Sequence, residues 1–196
     1  MSFFVVVGRI NIKFIKLLHC TCTEIILQLI RGVKMKGNTK KLTISAMFIA
    51  IAVLAGNIIY IPVGASKCFP IQHTVNVLSA VLLGPYYAVL NAFCISLLRN
   101  LIGTGSLLAF PGSMVGALLS GLIFKYTKND LYASIGEVIG TGILGGLIAV
   151  PISVLIMGKE AGALVYVIPF AISSIGGSII AYLILKSREI IKLSKR

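Results

Sequence analysis

From residue 42 onward the chain is a succession of long apolar runs separated by short polar or turn-forming breaks. Six runs can be delimited: Leu42–Ile61, His73–Gly84, Tyr86–Ile102, Gly112–Tyr126, Leu131–Met157 and Ala163–Leu185. The breaks fall at Pro62-Val63-Gly64, Gly84-Pro85, Gly103-Thr104-Gly105, Phe110-Pro111-Gly112, Lys128-Asn129-Asp130 and Gly158-Lys159-Glu160, which is turn or helix-start chemistry. A membrane-spanning helix needs roughly 20 apolar residues, so the second and fourth runs are short and their ends must be sheltered by loops or neighbouring helices. The pattern predicts an all-α membrane protein, a bundle of six transmembrane helices in a single domain over residues 35–196.

Residues 1–34 read differently. Their apolar runs are broken by Arg9, Lys13, Lys16, Glu24 and Arg31, none approaches the length of a span, and the order of a signal peptide is missing. Arg31-Gly32-Val33-Lys34 ahead of Met35 can be encoded by a purine-rich, ribosome-binding type of sequence, so translation is expected to start at Met35, with residues 1–34 a non-native or unstructured extension. The competing reading of this stretch is an amphipathic surface helix.

Composition agrees with a bilayer as solvent: 58% of residues are hydrophobic, 12% are charged, and the mean hydropathy is +1.03. The net charge of +13 would suggest nucleic acid in a soluble chain, but here the basic residues lie between apolar runs and at the termini. With the segment before Leu42 inside, the inner set holds Lys36, Lys40, Lys41, Lys125, Lys128, Lys186, Arg188, Lys192, Lys195 and Arg196, against Lys67, Lys159 and Arg99 outside. Both termini are therefore expected in the cytoplasm.

Against this background Phe69-Pro70-Ile71-Gln72-His73-Thr74-Val75-Asn76 sets two amides and an imidazole within five residues of one another. Such groups are expensive inside a membrane and mark function by default. Gln72, His73 and Asn76 open the second helix, Arg99 and Asn100 close the third, and Thr104, Ser106, Phe110 and Ser113 precede or begin the fourth, so all converge on the outer half of the bundle. Polar groups from three separate segments within apolar walls are what a small-solute site requires; the alternative is that they cap and satisfy helix ends. Glu137 stands apart, about 9 Å from the inner boundary at a rise of ~1.5 Å per residue, too deep to meet Arg99 near the outer one. It is either a functional carboxylate or a bridge between helices.

Small residues at four-residue spacing, Gly136/Gly140, Gly142/Gly146, Gly112/Gly116, Ser173/Gly177/Ala181 and Ala46/Ala50, suit close helix packing. The chain lacks a phosphate-binding Gly-x-x-x-x-Gly-Lys-Ser/Thr loop, HExxH and GxSxG, and its cysteines (Cys20, Cys22, Cys68, Cys94) do not form a metal-ligand pattern. No catalytic role, cofactor or metal is expected. Cys68 is expected in the outer loop, where an impermeant thiol reagent should reach it unless the loop folds over the site, and Cys94 about midway through the third helix.

The Phe69–Asn76 motif, with Leu82-Leu-Gly-Pro85, Arg99-Asn-Leu-Ile-Gly-Thr-Gly105, Leu107-Leu-Ala-Phe-Pro-Gly-Ser113 and Gly136-Glu-Val-Ile-Gly-Thr-Gly142, resembles the ThiW family over about Lys41 to Leu185. These are substrate-specificity (S) components of energy-coupling-factor vitamin importers, linked to the thiazole precursor of thiamine. The resemblance implies a six-helix subunit that captures solute outside and docks on a transmembrane coupling subunit driven by two ATPases. An alanine pair on the first helix then contacts the coupling subunit, and Ala46 and Ala50 match it. The implied solute is hydroxyethylthiazole, for which Tyr60, Phe69 and Phe110 offer apolar faces and Gln72, His73, Asn76 and Asn100 offer hydrogen bonds, with Arg99, Thr104 and Glu137 completing the candidate set. Two rivals remain: a self-sufficient proton-coupled permease using Glu137, and an intramembrane enzyme using His73 as a base.

Overall fold

A computed structural model describes residues 37–58, 60–63, 66–158 and 162–193. The expected extension at residues 1–34 and the Met35 start lie outside the described residues. From Lys41 onward the chain forms one compact unit. The elements are α1 (Gly37–Ile58), β1 (Ile61–Val63), β2 (Ser66–Cys68), α2 (Pro70–Leu82), α3 (Pro85–Leu101), α4 (Ala109–Thr127), α5 (Asp130–Glu137), a π-helical segment (Val138–Gly145), α6 (Gly146–Met157) and α7 (Ala163–Leu193). Because α5, the π segment and α6 are continuous, the six apolar runs correspond to six helical rods.

Polarity is distributed as a bilayer demands. Among the described residues, buried polar and buried apolar side chains are equal in number, 18 of each, while Leu54, Ile58, Leu101, Leu155 and Leu164 are all more than 60% exposed. Hydrocarbon faces outward and much of the hydrogen bonding faces inward, the arrangement that lipid rather than water stabilises. Among the described residues, four helical stretches are long and apolar enough to cross a membrane: Asn38–Gly56, Ala109–Thr127, Asp130–Ile156 and Leu164–Ser187. The 13-residue α2 and 17-residue α3 reach only about 20 and 25 Å, against a hydrocarbon core of about 30 Å.

Shortness is tolerable in α2 because protein surrounds it. Pro70 and every residue from Gln72 to Ala80 are buried, and α3, α4, α5 and α7 all pack against it. Pro70 at the first turn costs no hydrogen bond, and Gly84 at φ 97° permits the turn into Pro85 of α3.

Two features depart from the expected plain bundle. Between α1 and α2 an antiparallel hairpin pairs Ile61 with Cys68 and Val63 with Ser66, where a simple turn was expected. Its second strand is tied down: the Cys68 thiol donates to Pro169 O of α7 at 3.2 Å, and Phe69 N donates to Ser173 Oγ at 2.9 Å. Cys68 is consequently only 2% exposed rather than open to the outside, and burial pushes its thiol pKa up.

The second departure is the π segment. Its wider turn, with i→i+5 bonding, brings residues five apart toward one side. Gly140 and Gly145 both turn onto α4, where an added Cβ would sit 2.7 Å from Gly116 Cα and 2.5 Å from Gly112 Cα respectively. A five-residue register on one helix thus meets the four-residue register Gly112/Gly116 on the other. Gly142 and Gly146 turn instead to α7, with the same test atom 3.0 Å from Ala171 Cα and 2.8 Å from Val167 Cα.

Gly145→Ala should therefore lower stability in detergent by about 1–3 kcal/mol, since backbone must move to admit the methyl. Gly162→Ala, with nothing within 4 Å, should leave the thermal midpoint unchanged; equal midpoints for the two variants would contradict the packing described. For Cys68 the expectation is slow reaction with an impermeant maleimide on intact cells compared with an engineered cysteine at Leu107, which is 47% exposed.

Candidate solute site

The site grows from α2, whose N-terminal turns carry Gln72, His73 and Asn76. None of the three caps its own helix; each reaches another element. His73 Nδ1 lies 2.9 Å from Glu137 Oε1, Asn76 Nδ2 donates to the same oxygen at 2.9 Å, and Thr141 Oγ1 donates to it at 3.0 Å. An oxygen already accepting from an amide and a hydroxyl fixes the imidazole tautomer, so His73 carries its hydrogen on Nδ1. Asn76 Nδ2 also donates to Ser113 O (3.2 Å), and the single Thr141 hydroxyl hydrogen is shared between Glu137 Oε1 and Gly112 O (3.2 Å), which locks α2, the π segment and α4 together. Glu137 and Asn76 are 0% exposed and His73 8%.

Glu137 is thus central rather than apart. The expected separation sets Glu137 by its depth from the inner boundary against polar groups placed on the outer side, which presumes helices that run from boundary to boundary, and the 13-residue α2 is too short for that. The α2–α3 junction lies at the same end as the α4–α5 turn, since a Cβ on Gly121 would be 2.6 Å from Pro85 Cα. Measured from that end at a rise of 1.5 Å per residue, His73 is about 14 Å before Leu82 and Glu137 about 10 Å after Asp130, so they meet. Gly116 makes the meeting possible: a Cβ there would collide with Thr141 Oγ1 and approach Glu137 Oε2 to 2.8 Å.

A second cluster surrounds Arg99, which is 2% exposed. Its guanidinium donates to Gln72 Oε1 and, at 3.2 Å, to Thr104 O, and lies 3.6 Å from the centre of the Phe69 ring. Desolvation makes such a cation costly unless its donors are used, and the stacked ring adds cation–π attraction. Gln72 Nε2 passes the chain on to Ser96 Oγ (3.0 Å), which pairs with Ser113 Oγ (3.0 Å). The two clusters therefore join through α4. The turn after α3 explains Thr104: Gly103 at φ 79° lets Thr104 N and Gly105 N both donate back to Arg99 O, which turns the Thr104 carbonyl onto the guanidinium.

Other candidates fall around this network. Asn100 ties the loop together through Ser96 O (2.8 Å) and Ser106 O (3.0 Å). Phe110 packs on Phe93, with centroids 5.6 Å apart, and Tyr60 is 46% exposed with its ring 6.4 Å from that of Phe69. Of the three aromatic walls expected, Phe69 alone is in contact with the Arg99 cluster through the interactions described. Ala46 and Ala50 lie on the exposed side of α1. Thr141 and Ser96 were not singled out from sequence, although each had a signal: Thr141 follows Glu137 by one helical turn, and Ser96 precedes Arg99 by three residues.

The model of the family described as Thiamine-precursor transporter protein (ThiW) matches residues 42–190, a span that holds every residue of both clusters. No curated protein and no solved structure matches the chain.

If Gln72 and Arg99 act as a unit, Gln72→Leu should cost about 2 kcal/mol of stability by stripping a charged donor of its acceptor. The double variant Gln72→Leu/Arg99→Leu should then cost less than the sum of the singles. A thermal-unfolding double-mutant cycle with additive effects would contradict the coupling.

Proposed function

The chain belongs to the ThiW family of thiamine-precursor transporters, and from that premise we propose that residues 35–196 form the solute-capturing subunit of an importer energised by partner chains, with residues 1–34 outside that domain. The protein is a multi-pass integral membrane protein. A transporter of this family moves a small molecule across the bilayer, and the observation that carries the finer reading is the continuous buried network from Arg99 to Glu137. Polar groups drawn from four elements into the interior of an apolar-faced bundle are costly in lipid, and solute recognition supplies a reason for them.

In this reading the protein is the S component of an energy-coupling-factor importer, with α2 and α3 completing six crossings and both termini cytoplasmic. The solute is hydroxyethylthiazole, its ring against Phe69 and its polar atoms served by Gln72, His73, Asn76 and Glu137. The partners are a transmembrane coupling subunit and two ATPases. The exposed face of α1 supports the docking role: Leu42, Ala46, Ala50 and Leu54 recur every fourth residue on it, while Ser45, Phe48 and Ala52 are buried. Two alanines between leucines leave a shallow depression into which a partner helix can approach closely.

The test separates capture from transport. Ala46→Leu and Ala50→Leu should keep solute affinity within about twofold and lose most uptake in cells that contain the coupling subunits. His73→Ala or Asn76→Ala, each removing a hydrogen bond worth on the order of 1 kcal/mol or more, should weaken binding by about fivefold or more. Loss of affinity in the alanine-face variants, or uptake by the chain without partner subunits, would contradict this reading.

A further inference from the structure

The two oxygens of Glu137 are not equivalent. Oε1 receives Asn76, Thr141 and His73, whereas Oε2 has no hydrogen-bond partner among the described residues. Asn76 Oδ1 is in the same position. Its orientation is not a matter of choice, because Asn76 Nδ2 faces two acceptors, Ser113 O and Glu137 Oε1, and turning the amide over would set oxygen against both. Two buried acceptors without a donor among the described residues therefore belong to side chains that are bonded to each other.

The cation belongs to the second cluster. Arg99 directs one hydrogen from each terminal nitrogen to Gln72 and Thr104, and its Nε, which has no hydrogen-bond partner among the described residues, lies near Gly56 of α1, where an added Cβ would be 3.8 Å away.

We propose that Glu137 Oε2, on a carboxylate bonded to the Asn76 amide whose own Oδ1 is also unpaired, is the solute's hydrogen-bond acceptor, so that the site takes a neutral heterocycle with a free hydroxyl or amino hydrogen and excludes its phosphate ester. This rests on the reading that a thiamine precursor is held here. A hydroxyl supplies the missing donor. A phosphate ester brings acceptors and negative charge against a buried carboxylate, where low dielectric magnifies the repulsion. Glu137 thereby decides which chemical form of the precursor is captured.

Binding to the purified full chain should be measured for three probes: hydroxyethylthiazole, the same ring with ethyl replacing hydroxyethyl, and the phosphate ester of hydroxyethylthiazole. The wild type should prefer the alcohol by about tenfold or more over either analogue, the scale set by a hydrogen bond to a charged group. Glu137→Gln keeps an acceptor for the three donors but places an amino group where Oε2 stood. It should weaken the alcohol, spare the ethyl analogue, and narrow the gap to the phosphate ester. A merely structural Glu137 would weaken all three together. Equal wild-type affinity for alcohol and ethyl analogue, or selectivity unchanged in Glu137→Gln, overturns this proposal alone; failure of all three probes to bind the wild type overturns the solute assignment and this proposal with it. If Glu137→Gln does not fold, the wild-type ratios decide.

Discussion

A carboxylate with no exposure, inside a bundle whose outer face is hydrocarbon, survives only if other groups bring hydrogens to it. Glu137 has three such partners on one oxygen, from α2 and from its own rod. That convergence governs much of the surrounding architecture. Asn76 must be deep in a helix that is buried nearly all round; Thr141 must follow one turn later; and position 116 of α4 must have no side chain, because any Cβ would strike the Thr141 hydroxyl and the Glu137 carboxylate. The π segment begins at the next residue, and its wider winding is what allows both Gly140 and Gly145 to close on α4 around the carboxylate.

The second cluster solves the same problem for a cation. Arg99 is made tolerable by Gln72, by the Thr104 carbonyl and by the Phe69 ring, and the turn that presents Thr104 depends on Gly103. Ser96 and Ser113 connect the two clusters, so a change at either charge is felt by a continuous set of side chains from α2, α3 and α4. Such a network is rigid when satisfied and sensitive at the atoms left unpaired. On the capture-subunit reading proposed above, this combination would hold the bundle in one arrangement and leave the unpaired acceptors for the solute.

Much of this was legible in the sequence. The six helical rods match the six apolar runs, because Pro, Gly and charge punctuate them locally and lipid fixes their polarity. The helix after Cys68 begins at Pro70, as proline at a first turn permits. The hairpin was not legible: its register depends on α7, which holds Cys68 and Phe69 from about a hundred residues away. The π segment was hidden too, since Gly136/Gly140 and Gly142/Gly146 read equally well as four-residue packing motifs, and only the facing glycines of α4 select the five-residue register. Gln72, His73 and Asn76 announced themselves by polarity. Their union with Glu137 did not, because depth counted from a membrane boundary fails for a helix as short as α2.

The central claim is that the solute meets the Glu137 network. The chain has two histidines, His19 and His73, and one of them touches that carboxylate. Imidazole 15N spectra of the purified protein, with His19→Gln to assign the signals, can be followed while hydroxyethylthiazole is titrated in. The account predicts that the His73 resonances shift and saturate in step with binding measured calorimetrically. Saturated binding with the His73 resonances unmoved would contradict it.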